Sequence, residues 1–147
     1  MTQPERLELD AVSGVYDTEH QILCVTYRGY VTADITNRVY TWMKRLIEAH
    51  GLSSVQGSIF DFREVTNFVV GNLSATQINS HQLNNQYDLG NHPVALLVSS
   101  IYQRAMVKAT LNVTPQQERK RLVHSLEGAW AFIQDWHTQA QEANPWG

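Results

Sequence analysis

Asp61 and Arg63 are the two residues of this sequence whose types and spacing most directly suggest chemistry. They belong to the run QGSIFDFR at 56–63, whose apolar stretch is typical of a strand. Residues two apart on a strand project from the same face. Open α/β sheets place their ligands at the carboxyl ends of such strands. Arg63 is therefore a candidate anion clamp and Asp61 a candidate base or hydrogen-bond acceptor. The alternative is that the two charges pair with each other or with neighbouring groups.

A loop and a polar helix are predicted directly after this strand. Residues 64–73 are predicted to be a loop, and Ser74 with Gln77 matches the S-x-x-Q capping box of a helix N-terminus. The predicted helix at 75–87 is rich in amides and has few apolar anchors. Uncharged amides suit the rim of an interface, although a solvated helix is the alternative. The candidate contact residues on this helix are Gln77, Asn84 and Asn85.

The motifs of common catalytic and cofactor sites are missing from the sequence. It contains no G-x-S-x-G turn, no G-x-G-x-x-G or Walker loop, and no H-x-H or H-E-x-x-H pair. The lone cysteine, Cys24, lies in an apolar run and is expected to be a buried strand residue. His81 and His92, with Asp88 between them, could approach the strand end as metal ligands, but their spacing is unspecific. We therefore expect no enzyme activity, no cofactor and no metal.

Composition and charge argue against several other classes of protein. The chain has 147 residues, of which 43% are hydrophobic and 17% charged, and this suits one domain with an ordinary core. A formal net charge of -3 argues against a general nucleic-acid binder. The one dense basic run, residues 119–121, is predicted to be a solvated strand end, with a phosphate site as the alternative.

Neither a signal peptide nor a membrane span is predicted. The first ten residues, MTQPERLELD, have no apolar core. No apolar run approaches the roughly 18 residues that a spanning helix needs. A single cysteine cannot form an internal disulfide, so nothing indicates an oxidising compartment. We therefore expect a soluble cytoplasmic protein.

Hydrophobic periodicity predicts a single-domain α/β protein with a mixed sheet of about five strands and four helices. A hairpin at 12–16 and 22–27 is followed by alternating helices and strands, in the order β-β-α-β-α-β-α-β-α. The remaining predicted elements are helices at 35–50, 75–87, 101–113 and 126–138 and strands at 56–62, 94–98 and 119–124. Residues 1–11 and 139–147 are predicted to be tails around a domain at 12–138.

Three stretches of the sequence follow a pattern shared by a known family. They are ILCVTYRGYV at 22–31, a strand that leads into a glycine and the first helix; IFDFREV at 59–65, with an aspartate-x-arginine strand end; and VHSLEGAWAFI at 123–133, a closing strand and its helix. These stretches resemble the SpoIIAA-like (STAS/SEC14-type) family of small bacterial proteins. The similarity covers residues 12–137 and implies the STAS fold.

The resemblance also implies a regulatory function, without its usual phosphorylation site. Anti-sigma-factor antagonists of the wider STAS group carry a phosphorylated serine after this strand. The matching stretch here, VTNFVVG at 65–71, has no serine, because Thr66 comes too early and Ser74 too late. Ser74 could still accept phosphate at a helix N-terminus, but we expect it to be a cap. The related SEC14 proteins bind lipids in an apolar cavity, for which this chain length leaves little room.

Two functions are consistent with these residues. The leading hypothesis is a non-catalytic regulatory or protein-interaction module that forms a homodimer or binds a partner through residues 64–73 and the helix at 75–87. The alternative is a small-molecule binder, or an enzyme, with a pocket near Arg63 for an anionic or lipid-like ligand. Apolar loop residues such as Phe68 would line that pocket. Arg104, on the next predicted helix, is a further candidate anion contact, with a solvated helix face as the alternative.

Overall fold

A computed structural model describes residues 5–143 as one six-stranded sheet with helices on both faces. The strands are β1 (Arg6–Glu8), β2 (Val12–Asp17), β3 (Ile22–Val31), β4 (Gly57–Phe68), β5 (Val94–Leu97) and β6 (Lys120–Val123). The helices are α1 (Ala33–His50), α2 (Asn72–Gln86), α3 (Ile101–Asn112) and α4 (Leu126–Ala143). Short 3₁₀ turns lie at Leu52–Ser54 and Gln117–Arg119. The α/β class and the predicted order of elements are confirmed, with one strand added at the N-terminal side.

The strands lie across the sheet in the order in which they occur in the chain. β1, β2 and β3 pair antiparallel, whereas β3, β4, β5 and β6 pair parallel. Because right-handed crossovers that progress in one direction put every connecting helix on the same side, α1, α2 and α3 all cover one face. α4 follows the last strand and covers the other face. Two apolar clusters result, a larger one beneath α1–α3 and a smaller one beneath α4.

The first helix has the ends and the buried face that the sequence predicts. The Thr32 side chain accepts a hydrogen bond from the backbone N–H of Ile35, and Gly51 ends the helix with a φ of 86°. A positive φ of this kind favours glycine because a Cβ would be strained there. Its buried apolar side chains recur at three- and four-residue steps. They are Val39, Trp42, Met43, Leu46 and Ile47.

The prediction for the strand end and the following loop is wrong in its boundaries. β4 does not stop at residue 62 but continues to Phe68, because β3 reaches Val31 and the two strands pair along that whole length. Register shifts interrupt this pairing, as β-bulges do. The turn that remains is short, and Gly71 is the N-cap of α2 with a φ of 99° and no side-chain cap. Ser74 is therefore inside the first turn of the helix and is not its cap.

Two other sequence predictions also differ from the structure. Residues 6–8 lie in the segment predicted to be a tail, yet they pair with β2 as β1. α4 extends to Ala143, five residues beyond its predicted end. In α3 the buried side chains are Gln103 and Val107, whereas Tyr102 is exposed. Among the described residues, no helix is both long and apolar enough to cross a membrane.

Candidate functional site

Asp61 and Arg63 form an ion pair with each other. Arg63 donates from Nε to Asp61 Oδ1 at 3.1 Å and from Nη2 to Oδ2 at 2.9 Å, which is a bidentate arrangement. Asp61 Oδ1 also accepts a hydrogen bond from the backbone N–H of Arg63 at 3.0 Å. The hydrogen bond to Asp61 raises the pKa of the Arg63 guanidinium. The two charges therefore satisfy each other, as the alternative interpretation of the sequence holds.

This ion pair lies on the α4 side of the sheet. Ile59 belongs to the apolar cluster beneath α4, and Asp61, two residues later, projects from the same face. A cavity between the sheet and helices α1–α3 lies on the opposite face, and Arg63 is not among its lining residues. The prediction of a pocket around Arg63 is therefore wrong in its location.

The other predicted contact residues separate into an exposed and a buried group. Asn84 is half-buried and lines the cavity, and Phe68 is buried in the cavity wall. The exposed residues are Thr66, Ser74, Gln77, Asn85 and Arg104. Asn84 was thus predicted on an external contact surface but lines a cavity, whereas Phe68 was predicted to line a pocket near Arg63 and lines this cavity instead.

Large apolar side chains are exposed where the central parallel strands end. Of the eight such side chains in the described part of the chain, five lie at the ends of β3, β4 and β5 or in the segments that directly follow. Val70 is 99% exposed and Ile101 is 89% exposed. Single exposed apolar residues are normal, but a cluster marks an interaction site. These five residues form the carboxyl-edge patch: Tyr30, Val70, Leu73, Ile101 and Tyr102.

Hydrogen bonds from α3 hold the patch in place. Gln103 is buried, and its Nε2 donates to the carbonyl oxygens of Arg63 and Val65, both at 3.0 Å. The Tyr102 hydroxyl accepts from the backbone N–H of Phe68 at 3.1 Å and donates to Asn67 Oδ1 at 3.2 Å. These contacts tie the first turn of α3 to the last residues of β4. This edge of the sheet is therefore held in a defined conformation by hydrogen bonds.

A cavity of about 110 Å³ lies between the sheet and helices α1–α3. Its walls are mainly aromatic and aliphatic. Tyr27 stacks on Phe62 with ring centroids 4.9 Å apart and on Phe60 with centroids 6.5 Å apart. Both phenylalanines are only half-buried, although they lie on a central strand beneath helices, because the cavity lies against them. An apolar cavity of roughly 150 Å³ accommodates benzene, so this one has room for a group approaching that size.

Two adjacent cations line the cavity at the amino end of β6. Arg119 is only 4% exposed, and Lys120 is half-buried. Arg119 donates from Nε to Gln116 Oε1 at 2.9 Å and from Nη1 to the carbonyl oxygen of His92 at 3.0 Å. The Lys120 ammonium donates to two neutral oxygens of the 114–115 turn, at 3.0 and 2.9 Å. Burial lowers the pKa of Arg119 and brings that of Lys120 down to about 8.

Two tyrosine side chains complete the polar part of the cavity. Burial raises the pKa of Tyr40 to about 12, and the nearby Arg119 charge opposes this rise. Burial also raises the pKa of Tyr27, and the proximity of Tyr40 adds to it. Tyr40 is thus electrostatically coupled to both Arg119 and Tyr27. Neither tyrosine hydroxyl forms a hydrogen bond with any described residue, although buried tyrosines usually find a partner.

Ser58 and His92 form a buried pair in the cavity lining. Ser58 Oγ lies 2.8 Å from His92 Nε2, and His92 Nδ1 lies 3.2 Å from the carbonyl oxygen of Val55. Because a carbonyl only accepts, Nδ1 carries the proton and Nε2 accepts from the serine. Burial lowers the pKa of His92 to about 4, so the imidazole is neutral. Hydrolases use a similar contact, but here Ser58 is 0% exposed and its pairing with His92 helps to pack the cavity wall.

One group of metal-ligand types occurs in the described chain, in the turn between β2 and β3. The Asp17 carboxylate accepts hydrogen bonds from the backbone N–H groups of Glu19 and His20, both at 3.0 Å. The His20 ring also lies 2.8 Å from Asp17 Oδ2. These bonds close the turn, and they explain the cluster without a metal. His81 and His92 belong to no such group among the residues that the structure describes.

Sequence reasoning missed Arg119 and Lys120. The basic run at 119–121 was predicted to be a solvated strand end, and this is wrong for the first two of its residues. A signal was available, because Lys120 and the apolar Leu122 lie two apart on a strand and share a face. Leu122 packs against the core beneath α1–α3, which puts Lys120 on the buried side as well.

Solved structures with the same fold include two bacterial proteins. One is an uncharacterized protein of the DUF3478 family with a SpoIIAA-like fold from Shewanella loihica PV-4, with 14% sequence identity, a TM-score of 0.55 and coverage of 86% of this chain and 97% of that chain. The other is an anti-sigma factor antagonist from Mycobacterium paratuberculosis, with 10% identity, a TM-score of 0.55 and coverage of 88% and 100%. No protein-family model and no curated protein matches the chain. The chain has a SpoIIAA-like fold of the STAS type, and the resemblance seen in the sequence is confirmed at the level of fold.

Proposed function

We propose that the protein is a non-catalytic regulatory module that binds another protein through the carboxyl-edge patch. The observation that carries this proposal is the exposure of Val70 and Ile101, two aliphatic side chains that are almost fully in contact with solvent at one edge of the sheet. Apolar surface in such a cluster gains free energy when a partner covers it, at roughly 25 cal/mol per Å². The partner is another protein or a second copy of this chain, in the cytoplasm.

The fold supports a regulatory assignment. One protein with this fold is named an anti-sigma factor antagonist. The described residues with perturbed pKa values are either paired or buried, and the one serine–histidine contact helps to pack the cavity wall. Neither Thr66 nor Ser74 occupies the position of the STAS phosphoserine, so we propose that regulation depends on occupancy of the patch and not on phosphorylation. The amide-rich outer face of α2, with Gln77 and Asn85, would form the rim of the same interface.

The test is a double substitution in the patch, Val70→Asp with Ile101→Asp. Both side chains are exposed, so the free energy of unfolding should change by less than about 0.5 kcal/mol. Self-association is measured by light scattering across a concentration series, and partner capture by cross-linking and affinity purification from the native cell. We expect the double variant to lose whichever of these complexes the unaltered protein forms, because a buried carboxylate without a partner is costly.

Leu126→Asp is the matched control. Leu126 is an exposed apolar residue at the start of α4, outside the patch, and an acidic residue is well tolerated in the first turn of a helix. This variant should retain every complex. The proposal fails if the double variant keeps its assembly and its captured partner, or if Leu126→Asp abolishes them equally. A further variant with Gln77→Lys and Asn85→Lys should weaken binding less than the patch variant, since rim residues contribute little.

A further inference from the structure

We propose that the cavity beneath α1–α3 binds a small monocarboxylate with a compact apolar body, with the carboxylate held by Arg119, Lys120 and Tyr40. This site is on the opposite side of the sheet from the Asp61–Arg63 pair, and it goes beyond the proposed binding of a partner protein. It depends on the shape, charge and hydrogen bonding of the cavity and not on the carboxyl-edge patch.

One end of the cavity carries positive charge that no carboxylate of the described chain compensates. The ion pairs in the described chain involve other cations, and neither Arg119 nor Lys120 lies within 4.0 Å of a carboxylate there. Glu118 is exposed and close enough only to influence the pKa values of both groups. A buried charge that lacks a counter-charge is unfavourable, so the buried Arg119 beside the half-buried Lys120 is best explained by an anion that arrives from outside.

Several hydrogen-bond donors of the residues that line the cavity remain unused. A guanidinium has five N–H donors, and Arg119 uses Nε and Nη1 to tie two turns together. Its Nη2 forms no hydrogen bond with the described residues, and the same is true of the Tyr40 and Tyr27 hydroxyls. None of these three atoms is fully buried in the described chain, and the residues that carry them line the cavity, so the donors are free to meet a ligand. A carboxylate supplies the acceptors that these donors lack.

The volume and the lining of the cavity limit the size and charge of the ligand. The remaining walls are aromatic and aliphatic, with the stacked rings of Tyr27, Phe60 and Phe62 on the sheet side. A volume of about 110 Å³ suits a short branched chain, with a single ring as the upper limit, and excludes a lipid with two acyl chains. An apolar cavity with charged and polar groups at one end favours a singly charged amphipathic ligand over inorganic phosphate, which has no apolar part to bury.

Calorimetric titration with matched acid–amide pairs tests the proposal. The probes are isovalerate with isovaleramide, benzoate with benzamide, and inorganic phosphate, all on the full-length protein. We expect at least one of the two acids to bind at least tenfold more tightly than its amide, and phosphate to give no heat. Methyl chemical shifts of Leu83 and Leu96, which line the cavity, should move with the acid and locate it there.

Two variants separate ligand binding from a structural role. Lys120→Met keeps the length of the side chain without its charge and should weaken acid binding at least tenfold. Tyr40→Phe removes a hydroxyl that has no hydrogen-bond partner among the described residues, so the free protein should unfold at the same temperature or higher, yet acid binding should weaken about threefold. Arg63→Met is the control, because that cation is exposed, paired with Asp61 and outside the cavity lining.

Each contrary result overturns a defined part of the proposal. Equal binding of an acid and its amide rejects the role of the cations. Binding of phosphate alone rejects the apolar body of the ligand. A loss of acid binding in Arg63→Met equal to that in Lys120→Met places the acid elsewhere, and the absence of binding by both acids rejects the site. Loss of partner capture in the carboxyl-edge variant does not bear on any of these outcomes.

Discussion

Arg63 and Arg119 lie next to strands of the same sheet, but their surroundings are opposite. Arg63 is exposed and holds Asp61 through two charge-assisted hydrogen bonds, so its charge is neutralised by its neighbour two residues away. Arg119 is buried and donates only to the neutral oxygens of Gln116 and His92. An exposed pair of the first kind contributes roughly 0 to 1 kcal/mol, whereas a buried charge without a counter-charge costs several.

The comparison shows that a conspicuous charged motif need not be the reactive one. The Asp61–Arg63 spacing satisfies both groups within the strand, which leaves few hydrogen-bonding atoms for a ligand. Arg119 and Lys120 have no ion-pair partner of this kind, so their presence in the fold costs free energy. Features that oppose stability in this way are expected at binding sites, because the ligand supplies what the protein lacks. If this is right, the groups around Arg119 and Lys120 should affect stability more strongly than the Asp61–Arg63 pair does.

The largest expected effect is an acid-induced loss of stability that arises from His92. Its pKa is about 4 in the folded protein because it is buried, but about 6.5 in the unfolded chain. Between these values the unfolded state binds one more proton, so stability falls as the pH falls from 6.5 to 4. The slope is about 1.4 kcal/mol per pH unit and the total about 3 kcal/mol. Urea unfolding at pH 7, 6, 5 and 4.5 measures it.

His92→Gln should remove this part of the pH dependence while lowering stability at pH 7, since contacts to Ser58 and Val55 are altered. His81→Gln is the control, because His81 is exposed on α2. If the difference in unfolding free energy between the unaltered protein and His92→Gln is the same at pH 7 and pH 4.5, His92 is not held neutral by the fold.

A smaller effect of the same kind is expected for Lys120 at alkaline pH. Burial lowers its folded-state pKa to about 8, below the value of an unfolded lysine. From pH 8 to pH 10 the unfolded chain keeps a proton that the folded protein has lost, so stability gains about 2 kcal/mol from this group across that range. Lys120→Met lacks this gain. The difference between the two proteins, measured by urea unfolding at pH 8, 9 and 10, should therefore grow in favour of the unaltered protein.

Taking the difference removes the pH-dependent contributions that the two proteins have in common. Lys44→Met serves as the control, since Lys44 lies on α1 and does not line the cavity. A constant difference between the unaltered protein and Lys120→Met would mean that the Lys120 ammonium is as well solvated as one at the surface, and it would remove the contrast with Arg63.

The elements of the fold were largely predictable from the sequence because their signals are local. The cap at Thr32, the glycine stop at Gly51 and the three- and four-residue repeat of apolar residues define α1 without reference to the rest of the chain. β5, with four buried apolar residues in succession, is equally clear. The extension of β4 to Phe68 was not predictable in this way, because residues 64–68 are polar in pattern and become a strand only by pairing with β3.

The candidate site was harder to predict, since burial of a charged residue depends on tertiary structure. The only signal for the run at 119–121 is the two-residue spacing of Lys120 and Leu122, and the burial of Arg119 becomes evident only when β6 is placed beside β5. The same applies to the patch: Val70 and Ile101 are far apart in sequence, and only the parallel order of the strands brings both to one edge. The sequence pattern instead predicted Ser74 as the cap of α2. In the structure the N-cap is Gly71, which lies three residues earlier and has a positive φ.

The smallest expected effect is that of breaking the surface pair with Arg63→Met or Asp61→Asn. Arg63 is exposed and its ion pair is open to screening by salt, so each change should lower the free energy of unfolding by less than about 1 kcal/mol, and less still in 1 M salt. Urea unfolding at low and high salt measures this. A loss of several kcal/mol that persists in 1 M salt would show that Asp61 and Arg63 anchor the strand end, and that the surface pair and not the buried cations is the critical charged feature of this fold.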